Sequence, residues 1–130
     1  MARGYPDFEG SKLKVYPIAE WAALEGYDKA ITGSVVVAAA AWRTIVAYAV
    51  PAGVTLSIKS LLAGNSLAAR KRLQLLNGAA VVLDHYHSEP LLKEWAVPIT
   101  ILTGVTVTLR VYSAVADGST QTGNLWGWEI

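Results

Sequence analysis

The sequence contains no cysteine. The fold therefore uses neither a disulfide nor a thiolate metal site, and cysteine usage assigns no redox compartment. Charge is scarce as well. Asp, Glu, Lys and Arg make up 16% of the 130 residues, where a typical soluble domain carries about 25%. The 11 basic and 10 acidic residues leave a net charge of +1, so no basic field is available to hold a nucleic-acid backbone. Long apolar runs are missing too. The most membrane-like stretch, Val35 to Val50, is interrupted by Arg43 and stops at Pro51, short of the roughly 20 residues a spanning helix needs. Two consecutive strands account for it better. The first twenty residues carry Arg3, Asp7, Glu9, Lys12, Lys14 and Glu20 and lack the apolar core of a secretory signal. No glycine-rich phosphate loop joins a strand to a helix, and no nucleophile elbow is present.

What the chain has in excess is apolar surface. Hydrophobic residues reach 53%, more than the few charges can screen on a lone globule. Excess apolar surface often marks contact sites, so part of this surface is expected to be covered by neighbouring subunits. A length of 130 residues corresponds to one domain.

Residues 1–30 differ from the rest. They hold scattered Gly, Pro, charges and aromatics, with helical spacing only over Ile18 to Tyr27. The expectation is an extended N-terminal arm containing one short helix. A free arm would be polar, whereas this one keeps Tyr5, Phe8, Tyr16 and Trp21; these four are the residues expected to anchor it on a surface.

From Ile31 to Ile130 the pattern is β. Val54, Leu56 and Ile58 alternate with Thr55, Ser57 and Lys59, and Val105, Val107, Leu109 and Val111 with Thr106, Thr108 and Arg110. Period-two alternation with β-branched residues describes half-buried strands. Pro51-Ala52-Gly53, Asn77-Gly78 and Thr103-Gly104 punctuate the runs. Asn77-Gly78 suits a type I′ hairpin with both residues central. The competing reading is a helix over Ser66–Leu76 capped by the same dipeptide; the hairpin is preferred. About eight short strands, with a turn every 8–12 residues, describe an antiparallel β-sandwich or barrel. Arg70-Lys71-Arg72 reads as a solvated hairpin edge, Ala116–Gly123 as an exposed polar loop, and Asn124–Ile130 as a last strand with Trp126 and Trp128 on one face.

Two sets of residues bear on chemistry. His85, His87 and Glu89 would share a face of an extended strand, and two imidazoles with a carboxylate can hold a divalent metal. Gly78 and the His pair resemble the first metal motif of cupins, which implies a metal-dependent enzyme. The carboxylate spacing departs from that motif, and no later histidine completes it, so a polar loop is the preferred reading. The tryptophans Trp42, Trp95, Trp126 and Trp128 suit a sugar-stacking platform of a glycan-binding module or, with more weight, core and interface anchors. Trp126 and Trp128 are the candidates for a ligand or interface contact.

The rhythm of Val50-Pro51-Ala52-Gly53-Val54-Thr55-Leu56, the Asn77-Gly78 hairpin, Pro98 to Val107 and the ending Trp126-Gly127-Trp128-Glu129-Ile130 resembles jelly-roll-like structural proteins of virus and phage particles. That resemblance is one of style and transfers no functional residue. It implies a jelly-roll-like sandwich at 31–130 behind an arm at 1–30. It further implies a capsid decoration, cement or minor capsid protein of the virion, put together in the host cytoplasm. Such a protein acts by self-assembly into a homo-oligomer and by contact with other virion proteins. The resemblance leads us to expect no catalytic residue or cofactor, and the charge balance and run lengths above lead us to expect no nucleic-acid contact and no membrane span.

Overall fold

The computed structural model describes residues 28–37 and 40–130, and the residues expected to form the arm and its helix lie outside them up to Tyr27. Eight antiparallel strands follow one another: β1 (Asp28–Val36), β2 (Ala41–Ala49), β3 (Leu56–Asn65), β4 (Lys71–Asn77), β5 (Ala80–His87), β6 (Leu91–Ile101), β7 (Thr106–Ser113) and β8 (Thr120–Glu129). They form two four-stranded sheets. Sheet I has the order β1-β8-β3-β6 and sheet II the order β2-β7-β4-β5. The expected all-β sandwich is therefore present. No helix occurs among the described residues, and none there is long and apolar enough to cross a membrane.

Alternation places the core where the sequence put it. Leu56, Ile58 and Leu125 of sheet I face Leu73, Leu75, Val107, Leu109 and Val111 of sheet II, all buried. Each such side chain contributes roughly 1.5–3 kcal/mol by leaving water. A bulge at Lys59 shifts the phase of β3, so the buried set continues at Leu61 and Ala63. Opposite Lys59, β6 loops outward over Trp95 to Pro98, and Lys59 Nζ donates to the Trp95 carbonyl at 2.8 Å. Proline is tolerated in such a bulge because no ladder bond is required of it.

The preferred hairpin is present: residues 71–77 are a strand and the competing helix is absent, because β4 is an interior strand paired on both sides, with β7 and with β5. Tertiary pairing overrides the helix propensity of Ala, Lys, Arg and Leu. Asn77 pairs with Ala80, which leaves Gly78 and Ala79 as the central residues of the hairpin. Only Gly78 has positive φ, 62°, the pattern of a type II′ turn in place of type I′. β1 starts at Asp28, ahead of the expected boundary, and β8 starts at Thr120. The second half of the expected loop 116–123 is therefore strand.

The reason lies at the closest approach of the two sheets. Gly33 of β1 and Gly123 of β8 are register partners. A Cβ on Gly33 would lie 2.4 Å from the Ile45 carbonyl oxygen, and one on Gly123 would lie 2.3 Å from Leu109 Cδ2. Ile45 itself sits in the β2 bulge between Thr44 and Val46 and is buried. The paired glycines thus make a dent in sheet I that Ile45 and Leu109 of sheet II fill. Gly33→Ala meets backbone, whereas Gly123→Ala meets the mobile end of a leucine. Overpacking of this kind costs about 1–3 kcal/mol. Gly33→Ala is expected at or above the upper end and Gly123→Ala nearer the lower. Denaturant midpoints of the two variants check the order, and equal midpoints would show that the sheets can separate freely.

Candidate functional site

The outer face of sheet II carries the densest chemistry. Cross-strand register stacks two rows over all four strands: Trp42, Tyr112, Arg72 and Tyr86, then Thr44, Arg110, Gln74 and Asp84. Cross-strand neighbours are close enough for such side chains to meet. The Arg72 guanidinium donates from Nε and Nη2 to the two oxygens of Asp84 at 2.9 and 2.6 Å. Gln74 Nε2 donates to Asp84 Oδ2 at 3.0 Å, and its own Oε1 accepts from Arg110 Nε and Nη2 at 3.0 and 2.7 Å. The bidentate Arg72 contact, helped by Gln74, holds the Asp84 carboxyl down at about 2, and Asp84 in turn raises Arg72. Arginine also lies over aromatic rings: Arg110 is 4.3 Å from the Trp42 centroid and Arg70 is 4.4 Å from that of Tyr86. Trp42 and Tyr112 pack tilted with centroids 5.4 Å apart. Two shallow grooves open beside the Arg70–Tyr86 stack, one of about 250 Å³ reaching Arg72 and Tyr112, the other of about 270 Å³ reaching His87 and Ser88.

Below this face, a polar cluster fills one end of the sandwich. Lys71 is 1% exposed, so the basic triplet is not a solvated edge: β4 is interior, and alternation turns its middle residue inward. Lys71 Nζ donates to Asp117 Oδ2 at 2.6 Å and to the Ala69 carbonyl at 3.3 Å. Asp117 Oδ1 accepts the Ser119 backbone N–H at 2.9 Å. Lys71, then Ser119, hold the Asp117 carboxyl well below the usual range. Gln121 is fully buried; its Oε1 accepts from Asn65 Nδ2 at 2.9 Å, and its Nε2 lies 3.3 Å from His87 Nε2. The loop 114–119 is thus tied down instead of being a free tip.

His85 and His87 do share a face of β5, since they pair with the inward residues Leu73 and Lys71. His85 is exposed on this edge strand and His87 is buried. β5 ends at His87, so Glu89 lies past the strand and is exposed. It meets His87 Nδ1 through its backbone carbonyl at 2.9 Å, not its carboxylate. Among the described residues, no group of three His, Cys, Asp or Glu side chains is arranged to hold a metal ion.

Trp126 and Trp128 lie on the opposite side of the molecule, on the outer face of sheet I. Trp126 stands between Ala30 and Ser60 in register. These small neighbours leave an open groove of about 360 Å³ that Trp128 and Lys59 also line. Trp95 packs against the core, and Trp42 belongs to sheet II, so the four tryptophans do not form one platform. Tyr5, Phe8, Tyr16 and Trp21 lie outside the described residues. No protein-family model, curated protein or solved structure matches the chain.

Sequence reading missed the arginine–aromatic face because its members come from four strands. Alternation alone would have put Arg72, Gln74, Asp84, Tyr86, Arg110 and Tyr112 on outward positions, but not beside one another.

The Lys71–Asp117 pair generates a stability prediction. A carboxyl whose folded pKa is depressed adds stability that is complete above its unfolded pKa of about 3.9 and fades as pH falls toward the folded value. Thermal midpoints are expected to be level from pH 7 to pH 5 and to fall below about pH 4. Asp117→Asn should lower the midpoint at pH 7 and flatten that acid slope. It should also cost more than Lys71→Met, because it strands a buried ammonium while the second variant leaves a carboxylate that water can reach. Melting curves against pH decide this, and an unchanged acid slope in Asp117→Asn would remove the pair from the account.

Proposed function

We propose that this chain is a structural subunit of a virus or phage particle, a jelly-roll domain that acts by assembly and not by catalysis. The observation that carries the reading is the pairing order. β1 pairs with β8, β2 with β7, β3 with β6 and β4 with β5, and successive pairs alternate between the sheets. This order supports reading the chain as a long hairpin wrapped into two Greek keys, as in the jelly rolls that recur in capsid and lectin domains. Fold alone does not assign function, so the surface supplies the second support. The outer face of sheet I exposes Leu62, Leu92 and Trp126 in neighbouring register positions, and Val97 at the tip of the β6 bulge is 80% exposed. Apolar groups this open suit contacts with further copies or with other virion proteins.

In this reading the arm laces one subunit to the next through Tyr5, Phe8, Tyr16 and Trp21. Covering β1 and β6, the open edges of sheet I, removes the hazard of bare strands. The domain works in the virion, with no cofactor and no nucleic-acid contact.

The test is the solution mass by size-exclusion chromatography with light scattering. The full chain is expected as a trimer, pentamer or larger species. Removing residues 1–27, which stops short of β1, is expected to leave a folded monomer, as is Leu92→Glu on the full chain, with circular dichroism confirming the fold. A full chain that stays monomeric at high concentration, or a truncated one that assembles as before, would overturn the assembly reading.

A further inference from the structure

The two grooves beside Arg70 do not belong to the apolar face used for assembly; they lie on the other sheet. Their chemistry is narrow. Arg72 spends its fork on Asp84, and Arg110 spends its own on Gln74. Arg70 is exposed, stacked on Tyr86, and has no carboxylate within ion-pair distance among the described residues. Of the three guanidinium forks at the ridge, that of Arg70 is therefore open, and a planar fork matches one carboxylate in bidentate fashion. Tyr86 is about half exposed, and Tyr112 lines the same groove, so a ligand at Arg70 meets aromatic side chains. Aromatic rings beside polar donors suit a ring with an apolar C–H face and polar edges, which is a sugar. Each groove lies below the roughly 300 Å³ at which ligand pockets usually begin. That is room for one ring, and among the described residues lining the two grooves Arg70 and Arg72 are the cations, with Arg72 paired to Asp84, so no succession of open cations is there to track a polyanion.

We propose that the Arg70–Tyr86 ridge on the outer face of sheet II binds an acidic saccharide, a sugar ring carrying a single carboxylate of the uronic or sialic acid kind. Arg70 takes the carboxylate, and Tyr112 and Tyr86 take the ring. Holding Asp84 ionised keeps Arg72 and Gln74 in place, so the floor of the site is set before the ligand arrives. The proposal does not rest on assembly, since a monomer carries the same ridge.

The experiment is an amide and indole NMR titration of the full chain with methyl glucuronide and with N-acetylneuraminic acid. Methyl glucoside, glucose 6-sulfate and a thymidine oligonucleotide serve as comparison ligands. Weak saturable binding of at least one carboxylated sugar is expected, with shifts at Arg70, Tyr86 and Tyr112. Arg70→Gln, an exposed change that should leave the spectrum of the folded chain intact, is expected to weaken it at least tenfold. Methyl glucoside should give no saturable shift. The proposal is overturned if neither carboxylated sugar shifts these residues or if the neutral sugar binds equally well. It is also overturned if the sulfate or the oligonucleotide binds in place of the carboxylates, or if Arg70→Gln binds unchanged.

Discussion

The dent formed by Gly33 and Gly123 is the constraint on which the sandwich depends. These residues face each other across β1 and β8, the first and last strands among the described residues, and both lack the side chain that would hold the sheets apart. Ile45 and Leu109 enter the space they leave. The bulge in β2 that delivers Ile45 has a purpose only because that space exists. β8 runs between β1 and β3, so the same contact fixes the middle of sheet I. Pairing the two ends of the domain is a long-range event, and topologies of this kind close loops at an entropic cost before their contacts form.

A second constraint, electrostatic, organises the end where loops 66–70, 88–90 and 114–119 meet. Lys71 would be expensive to bury alone, and Asp117 offsets that cost from the β7–β8 loop. The surrounding side chains of Asn65, Gln121 and His87 form a connected chain of polar contacts, which is the condition under which buried polar groups are tolerated. The other end is simpler. Gly53 and Gly104 adopt positive φ; the Val50 N–H donates to the Val105 carbonyl and the Gly104 N–H to the Val50 carbonyl, so the turns close on one another. One end is therefore rigid by backbone pairing, the other by charge and amide contacts. The arginine-rich ridge stands on the charged end.

The two outer faces divide the surface by chemistry. Sheet I presents apolar side chains and an open groove at Trp126; sheet II presents guanidinium groups stacked on aromatic rings, with one carboxylate among them. Scarcity of charge in the whole chain hides this division, because Arg70, Arg72 and Arg110 gather on one side. Overall composition pointed to surface that needs covering. Leu62, Leu92 and Val97 are exposed on sheet I, on the side opposite the arginine–aromatic ridge.

Sequence by itself determined the secondary structure class and the core. Strict alternation in Val54–Ile58 and Val105–Val111 depends only on the two-residue period of a strand, so the inward residues were legible without neighbours. Turn glycines at 53 and 104 were legible for the same local reason. The Asn77-Gly78 hairpin was legible, but its type was not, because register with β5 chose which two residues are central. Burial of Lys71 was illegible, since a lysine turns inward only when a distant carboxylate is there to meet it. The strand character of 120–123 was equally hidden: small polar residues read as loop until β1 and β3 flank them. The candidate ridge needed three strands, β4, β5 and β7, brought into register before Arg70, Arg72, Tyr86 and Tyr112 became neighbours. Local periodicity is written in consecutive residues, whereas strand order, buried ion pairs and shared surfaces depend on contacts between residues far apart in the chain. Those only the tertiary structure decided.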